Sequence, residues 1–422
     1  MDVWGGLPTH PVDGFSGGQL AMAREMTKHV QLDPAVNDPT IQGLVDTIIR
    51  QALRDRASDI HLEPTDEGLL VRFRVDGLLR RVETIPSAIA GHVVTRVKIM
   101  GDLDISEKRV PQDGRRTGVF DGRNVDLRIS TAPLLHGEKA VIRLLPQDSA
   151  CASILELGFS SAGMGTYTDF LKHSQGLILI TGPTGSGKTS TLYASLAEKQ
   201  DETLNVVTIE DPIEYRLPGI NQMQVNLKAK LTFASGLRAI LRQDPDIVMV
   251  GEIRDTETAS IVFQSALTGH LVLSTLHTND SVSAVTRLMD LGVEPYLIAS
   301  ATLGIVAQRL VRRICQHCRE EYAPDPAALG ALRLSPGEVP QVLVRGRGCP
   351  QCFETGYRGR EAIFEILPIS DELRDGILAQ LAEQELKRIA LSQGLEPLAR
   401  SGVRKVLDGI TTPEELLRVV RR

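Results

Sequence analysis

Residues 177–189 read Leu-Ile-Leu-Ile-Thr-Gly-Pro-Thr-Gly-Ser-Gly-Lys-Thr, and the reading of this stretch decides the fold. An apolar, strand-like run leads into Gly182-Pro183-Thr184-Gly185-Ser186-Gly187-Lys188-Thr189, a phosphate-binding loop with every position filled. Gly182, Gly185 and Gly187 let the backbone turn tightly and aim successive N–H groups at phosphate oxygens. Lys188 puts a point charge on the β- and γ-phosphates, and the Thr189 hydroxyl is a Mg²⁺ ligand. Ser190 opens the helix-forming run Ser-Thr-Leu-Tyr-Ala-Ser-Leu-Ala-Glu198 and belongs with the nucleotide-binding residues. The positive end of that helix adds to the loop.

Downstream of the loop, strand and helix patterns alternate. Strands are predicted at Asn205–Ile209, Ile247–Val250 and Leu271–Thr275, with helices at Phe233–Arg242, Thr256–Thr268 and Ser281–Leu291. Short apolar runs joined by helices predict a parallel sheet buried on both faces. Upstream, residues 39–146 read as a separate mixed α/β domain. It holds a helix with Ile41, Leu44, Val45, Ile48, Ile49 and Leu53 at helical spacing, a hairpin turning at Asp76-Gly77, a helix over Ala88–Met100, and strands at Arg116–Phe120, Asn124–Ser130 and Lys139–Leu145. Residues 1–38 are rich in Gly, Pro and Asp and read as poorly structured, apart from a short helix around Gln19–His29. Residues 147–155 read as a linker, and 156–422 as the domain built around the loop. A helical tail closes the chain, its last helix signalled by Thr411-Thr412-Pro413-Glu414-Glu415.

At 422 residues, with 42% hydrophobic and 24% charged residues, the chain has the composition of a globular protein with ample core. Its net charge of −6 argues against a protein whose main task is non-specific nucleic-acid binding. No apolar run approaches the roughly 18–20 residues that span a bilayer, and the N-terminus lacks a secretory signal pattern. The expected location is the cytoplasm, with membrane contact indirect, through a partner or a surface helix.

A phosphate loop needs acidic residues that hold the metal or activate water. Two strand-like runs end in them: Val206-Val-Thr-Ile-Glu210-Asp211-Pro-Ile-Glu214, and Asp246-Ile-Val-Met-Val-Gly251-Glu252-Ile-Arg254-Asp255. Glu252 stands one residue later than the usual metal-holding Asp, after Gly251. The bland alternative is helix- or loop-capping acids. Arg238 and Arg242, at i, i+4, and Arg254 are candidates for stabilising the spread charge of phosphoryl transfer. Arg287 and Arg309 lie further on, and surface ion pairing is the alternative for any one arginine. His270 and His277 bracket a strand, and at least one is expected to sense the γ-phosphate. Cys315-x2-Cys318 and Cys349-x2-Cys352 form a paired signature for a closed, structural Zn²⁺ site in an insert spanning 312–360. Disulfides and a site that no longer holds metal are the alternatives. Cys151 is left as an ordinary thiol.

In order, these motifs resemble those of the ATPases of type II secretion and type IV pilus assembly: Gly-Pro-Thr-Gly-Ser-Gly-Lys-Thr, Thr-Ile-Glu-Asp-Pro-Ile-Glu, Arg-Gln-Asp-Pro-Asp-Ile-Val-Met-Val-Gly-Glu-Ile-Arg-Asp, and Thr-Gly-His-Leu-Val-Leu-Ser-Thr-Leu-His-Thr-Asn. Upstream, Ala57-Ser-Asp-Ile-His61-Leu-Glu-Pro and Lys108-Arg109-Val-Pro-Gln-Asp-Gly-Arg115 resemble the domain that precedes the motor in that family. The resemblance implies a PAS-like α/β domain before a RecA-like ATPase domain that carries a tetracysteine zinc insert. It implies a homohexameric ring that uses ATP, Mg²⁺ and Zn²⁺ against an inner-membrane platform protein and is peripheral at the inner membrane. It makes Glu214 the general base, Glu252 the second acidic residue near Mg²⁺, and His277 part of the His box. Arg72, Arg74, Arg109 and Arg115 resemble arginines that reach ATP phosphates from the preceding domain. The implied task is assembly of pilin or pseudopilin subunits. The tetracysteine insert resembles assembly and secretion motors rather than retraction motors, and the membrane-docking domain of the full assembly ATPases looks missing or reduced. The alternatives are a nucleic-acid translocase or DNA-uptake motor on the same core, and a scaffold that binds nucleotide without turning it over.

Overall fold

The computed structural model describes residues 41–146, 153–325, 329–330, 332, 334 and 340–420. The expected helix at Gln19–His29, Cys151 and most of the linker lie outside the described residues. The chain divides at Ser149–Ala150 into two compact units.

The first unit is a six-stranded antiparallel sheet with two helices. Its elements are α1 (Ile41–Arg54), β1 (Ala57–Pro64), β2 (Gly68–Val75), β3 (Leu78–Pro86), α2 (Ser87–Met100), β4 (Gln112–Phe120), β5 (Arg123–Leu134) and β6 (Gly137–Pro146). The strand order is β3-β2-β1-β6-β5-β4. The helices pack together, with Leu44, Ile48, Val93 and Val97 in one core with Ile60, Leu62, Phe73, Leu127 and Ile142. Alternation leaves Asp59, His61 and Glu63 of β1 off that core, which fits the two-sided character of an antiparallel sheet. The hairpin turns at Asp76 (φ 48°) and Gly77 (φ 87°), the paired left-handed residues of a tight two-residue hairpin.

In the second unit, α3 (Ser161–Lys172) precedes β7 (Gly176–Thr181), α4 (Lys188–Lys199), β8 (Val206–Glu210), β9 (Asn221–Gln224), α5 (Phe233–Ile240), β10 (Ile247–Val250), α6 (Thr256–Leu267), β11 (Leu271–Leu276), α7 (Ser281–Asp290) and α8 (Pro295–Ala301). Then come β12 (Thr302–Ile314), β13 (Arg319–Tyr322), β14 (Leu343–Gly346), β15 (Tyr357–Pro368), α9 (Asp371–Leu378), α10 (Glu383–Ser392), α11 (Leu398–Leu407) and α12 (Pro413–Val420). The large sheet runs β15-β12-β7-β11-β10-β8-β9.

Both faces of this sheet are covered. Leu177 and Leu179 of β7 enter one core with α5 to α10, while Ile178 and Ile180 enter the other with Tyr167, Leu192 and Leu196 of α3 and α4. This is the buried, helix-covered sheet that continuous apolar strands require. It is not wholly parallel, however. β7, β8, β9, β10, β11 and β12 run parallel, but β15 pairs antiparallel with β12 over its length. A hairpin connection permits that return, whereas a parallel neighbour needs a crossover. The cysteine insert grows from the tip of this hairpin, so residues 312–314 and 357–360 are continuous with its two strands. The last helix starts as its sequence indicates: the Glu415 amide donates to Thr412 Oγ1 at 3.3 Å.

Candidate functional site

The phosphate loop leaves β7 at its C-terminal end and enters α4, the edge of a parallel sheet where ligands bind. Gly185 (φ 80°) and Gly187 (φ 89°) take backbone conformations that a side chain would strain. Ser186 Oγ is buried with no hydrogen-bond partner, a donor left for a ligand. Pro183, Thr184, Gly185 and Ser190 are exposed, and Thr189 is half-buried. Lys188 is buried; its Nζ donates to the carbonyls of Gly182 (2.8 Å) and Pro183 (3.3 Å) and lies 3.4 Å from His277 Nδ1. Burial pushes its ammonium down to about 8, opposed by the charge of Glu252 and helped by that of Arg309. Such a cation gains from an arriving phosphate.

The second acidic run meets this lysine through the histidine. His277 Nε2 lies 3.2 Å from Glu252 Oε2, and Arg254 hydrogen-bonds Glu252 while lying 3.6 Å from Asp211 Oδ2. The fold thus joins Lys188, His277, Glu252, Arg254 and Asp211 in one polar chain drawn from four segments of sequence. Parallel register explains it: Leu276 pairs with Thr181 and Val250 with Ser274, so the ends of β7, β10 and β11 open at one edge. The same register separates the two histidines. His270 precedes β11, and its carbonyl accepts the Gly176 amide at the opposite edge, away from Lys188.

The acids of the first run divide their work. Glu210 is buried, accepting from Thr208 Oγ1 (2.6 Å), Gln222 Nε2 (3.1 Å) and the Tyr193 hydroxyl. Burial raises its pKa, and those hydrogen bonds only partly oppose the rise. Tyr193, itself raised by burial, also accepts the Glu214 amide at 3.3 Å, which ties the acidic loop to the phosphate-loop helix. Glu210 is therefore spent on structure, while Glu214 is half-buried on the loop beyond it.

The remaining arginines are engaged locally. Arg238 pairs with Glu257 (2.7 Å), both about half exposed, so the pair is worth about 1 kcal/mol or less and is easily exchanged. Arg242 lies just past α5 and donates to the Arg238 carbonyl. Neither has a polar contact with the phosphate loop among the described residues. In the first unit, Arg72 pairs with Glu63 (2.6 Å), Arg74 with Asp59 (3.6 Å), Arg109 with Glu107 (2.6 Å) and Arg115 with the buried Asp126 (2.6 Å). Arg109 is 88% exposed and the most readily released of the four.

Cys315, Cys318, Cys349 and Cys352 are free thiols whose sulfurs all lie within 4.8 Å of one another. Near pairs are 3.7, 3.8 and 3.9 Å apart. A tetrahedron with Zn–S bonds near 2.3 Å has edges of about 3.8 Å, so the four sulfurs fit Zn²⁺. These four form no disulfide with one another, since S–S bonds are about 2 Å. Burial opposes ionisation of Cys352, but amide donors from Cys349 and Gly356, with hydrogen bonds from the Cys349 and Cys318 thiols, lower its pKa.

A family model described as Type II/IV secretion system protein matches residues 35–418. The chain belongs to this family. Within the Type II/IV secretion system protein family it is similar to the type II secretion system protein E of Pseudomonas aeruginosa, 49% identical over 408 residues, which cover 96% of this chain and 81% of that protein. It is 46% identical over 402 residues to the type II secretion system ATPase E of Vibrio cholerae, covering 95% and 80%. Against the type IV pilus assembly ATPase PilB of Thermus thermophilus it is 50% identical over 386 residues, 90% of this chain but 43% of that one. The Legionella pneumophila ATPase DotB shares the fold, with a TM-score of 0.66 at 22% identity over 88% of this chain and 94% of that one. So does the pilus retraction motor PilT with bound ADP, at 0.60 and 24% over 88% and 96%. No described helix is long and apolar enough to cross a membrane.

Residues outside the motifs also matter here. Gln308 and Arg309 of β12 contact the phosphate loop and the segment after His277, and Tyr193 bridges Glu210 and Glu214. Only Arg309 drew notice in the sequence. The sequence places Tyr193 only in the helix after the loop, not beside the acidic run.

Glu63 provides a pH test of the first unit. Burial works against its charge, yet hydrogen bonds from Arg72 and Lys139 prevail and hold its carboxyl at about 2. A depressed folded-state pKa gives stability that is present above the unfolded value and lost as pH falls through the folded one. Denaturation of wild type and Glu63→Gln between pH 6 and pH 2 should show the wild type losing stability more steeply below the ordinary glutamate pKa. Parallel curves would contradict the assignment.

Proposed function

We propose that this chain is a motor that hydrolyses ATP to drive assembly of pilin or pseudopilin subunits. Its working form would be a homohexamer in the cytoplasm, peripheral at the inner membrane and acting on a platform protein there. The observation that carries the chemistry is the chain Lys188–His277–Glu252–Arg254, converging beside a phosphate loop with a buried, partnerless Ser186 hydroxyl. The task is carried over from the type II secretion and type IV pilus assembly relatives. No observation favours a nucleic-acid translocase over this reading.

In the proposed reaction, the loop amides and Lys188 hold the β- and γ-phosphates. Thr189 and Glu252 would hold Mg²⁺, which supplies charge neutralisation for the phosphoryl oxygens. Glu214 takes the proton of the attacking water, and the γ-phosphate leaves as inorganic phosphate with ADP released. His277, between Lys188 and Glu252, is placed to register whether the γ-phosphate is present and to pass that to its own loop. Arg254 orients Glu252. Cys315, Cys318, Cys349 and Cys352 would hold Zn²⁺ with no open position, so its contribution is structural.

Glu214→Gln should lower kcat for ATP by about 100-fold or more while leaving ADP affinity near wild type; unchanged turnover would remove Glu214 as the base. For the metal, elemental analysis of the purified chain should give one zinc per chain, and Cys318→Ser should lose it together with thermal stability. A metal-free wild type with the same melting temperature as that variant would refute the zinc assignment.

A further inference from the structure

Two adjacent residues of β12 grip both loops of the site. Gln308 is 2% exposed. Ala307 pairs with Thr181, so Gln308 lies beside the first residue of the phosphate loop. Its Nε2 donates to the Ser186 carbonyl at 2.9 Å, and its Oε1 accepts from Thr191 Oγ1 at 2.7 Å. One end of the amide therefore holds the loop and the other holds the first turn of α4.

Two of the loop glycines, already required by their positive φ, also pack on this residue. A Cβ on Gly182 would come 2.5 Å from the Gln308 carbonyl oxygen, and one on Gly187 would come 2.8 Å from Nε2. The loop's first and last glycines are thus packed on a single residue of the neighbouring strand. Next in sequence, Arg309 Nη2 donates to the Asn279 carbonyl (3.0 Å) and Oδ1 (3.2 Å), two residues past His277. One strand thus contacts both the phosphate loop and the segment beyond His277.

We propose that Gln308 is a positioning residue for the nucleotide, keeping the phosphate loop in its binding conformation before phosphate arrives. It does not touch the reacting atoms; both ends of its amide are occupied by protein. Glutamine suits the place because it offers a donor and an acceptor in opposite directions. Methionine fills the same volume with neither, removing the donor from the buried Ser186 carbonyl and leaving Thr191 Oγ1 only its long bond to the Gly187 carbonyl at 3.4 Å. The sheet itself would survive the loss, since Thr181 and Thr278 join β7 to β11 directly through their hydroxyls at 2.6 Å.

This inference rests on the nucleotide-binding reading, and the test separates the two. The intact chain, as wild type and Gln308→Met, is titrated with a fluorescent ADP in Mg²⁺, assayed for ATP turnover, and melted without nucleotide. One lost pair of hydrogen bonds should weaken ADP binding and raise KM by roughly five- to tenfold, with kcat within about twofold and the nucleotide-free melting temperature lowered by no more than a few degrees. Thr191→Val, which removes only the hydroxyl that orients the amide, should shift affinity in the same direction by less, and serves if Gln308→Met does not fold. A fall in melting temperature with affinity unchanged, or a fall in kcat with KM unchanged, would overturn the positioning role. A wild type that binds no ADP would overturn the nucleotide reading itself and this inference with it.

Discussion

The site depends on a buried cation that no carboxylate touches directly. Lys188 sits among carbonyl oxygens and a histidine nitrogen, and burial holds its pKa near 8. A half-desolvated ammonium is unfavourable until an anion arrives. Glu252 is close enough to act on it through space but is engaged by His277 and Arg254. The loop is therefore prepared for negative charge, and the surrounding contacts keep the nearest carboxylates from neutralising it first.

That arrangement requires several strand ends at one edge, which the sheet supplies. Parallel pairing of β7, β11, β10 and β8 brings their C-terminal ends together, so residues far apart in sequence share one rim. β12 adds the lateral support, and its antiparallel return through β15 carries the four cysteines at the far end of the hairpin. Buried Glu365 of β15 secures the neighbouring helices, accepting from the Ser281 amide and hydroxyl and from the Leu398 amide. Two helix N-termini thereby face one carboxylate, a favourable pairing of charge and dipole.

Much of this was legible in the sequence, for physical reasons. The apolar strands around the loop stood out because both faces of each are buried, as Leu177–Ile180 shows. β1 escaped notice because Asp59, His61 and Glu63 alternate with its core residues and mask the apolar period. β9, Asn221–Gln224, is an edge strand with hardly an apolar residue. β12 and β15 carry Gln308, Arg309, Glu361 and Glu365 at positions whose partners lie dozens of residues away, and neither strand was read from the sequence. The same limit applied at the site. The residue types and their order announced phosphate chemistry, but only folding shows that His277 reaches Lys188 while His270 lies at the other edge, and that Glu210 is committed to Tyr193.

The central claim is that this loop, with its unneutralised lysine, binds and hydrolyses ATP. Phosphate release from ATP, measured with and without Mg²⁺ for the intact wild type and for Lys188→Ala, tests it most directly. The account predicts Mg²⁺-dependent release by the wild type and a loss of at least about 100-fold in the variant. Equal rates for the two proteins would contradict it.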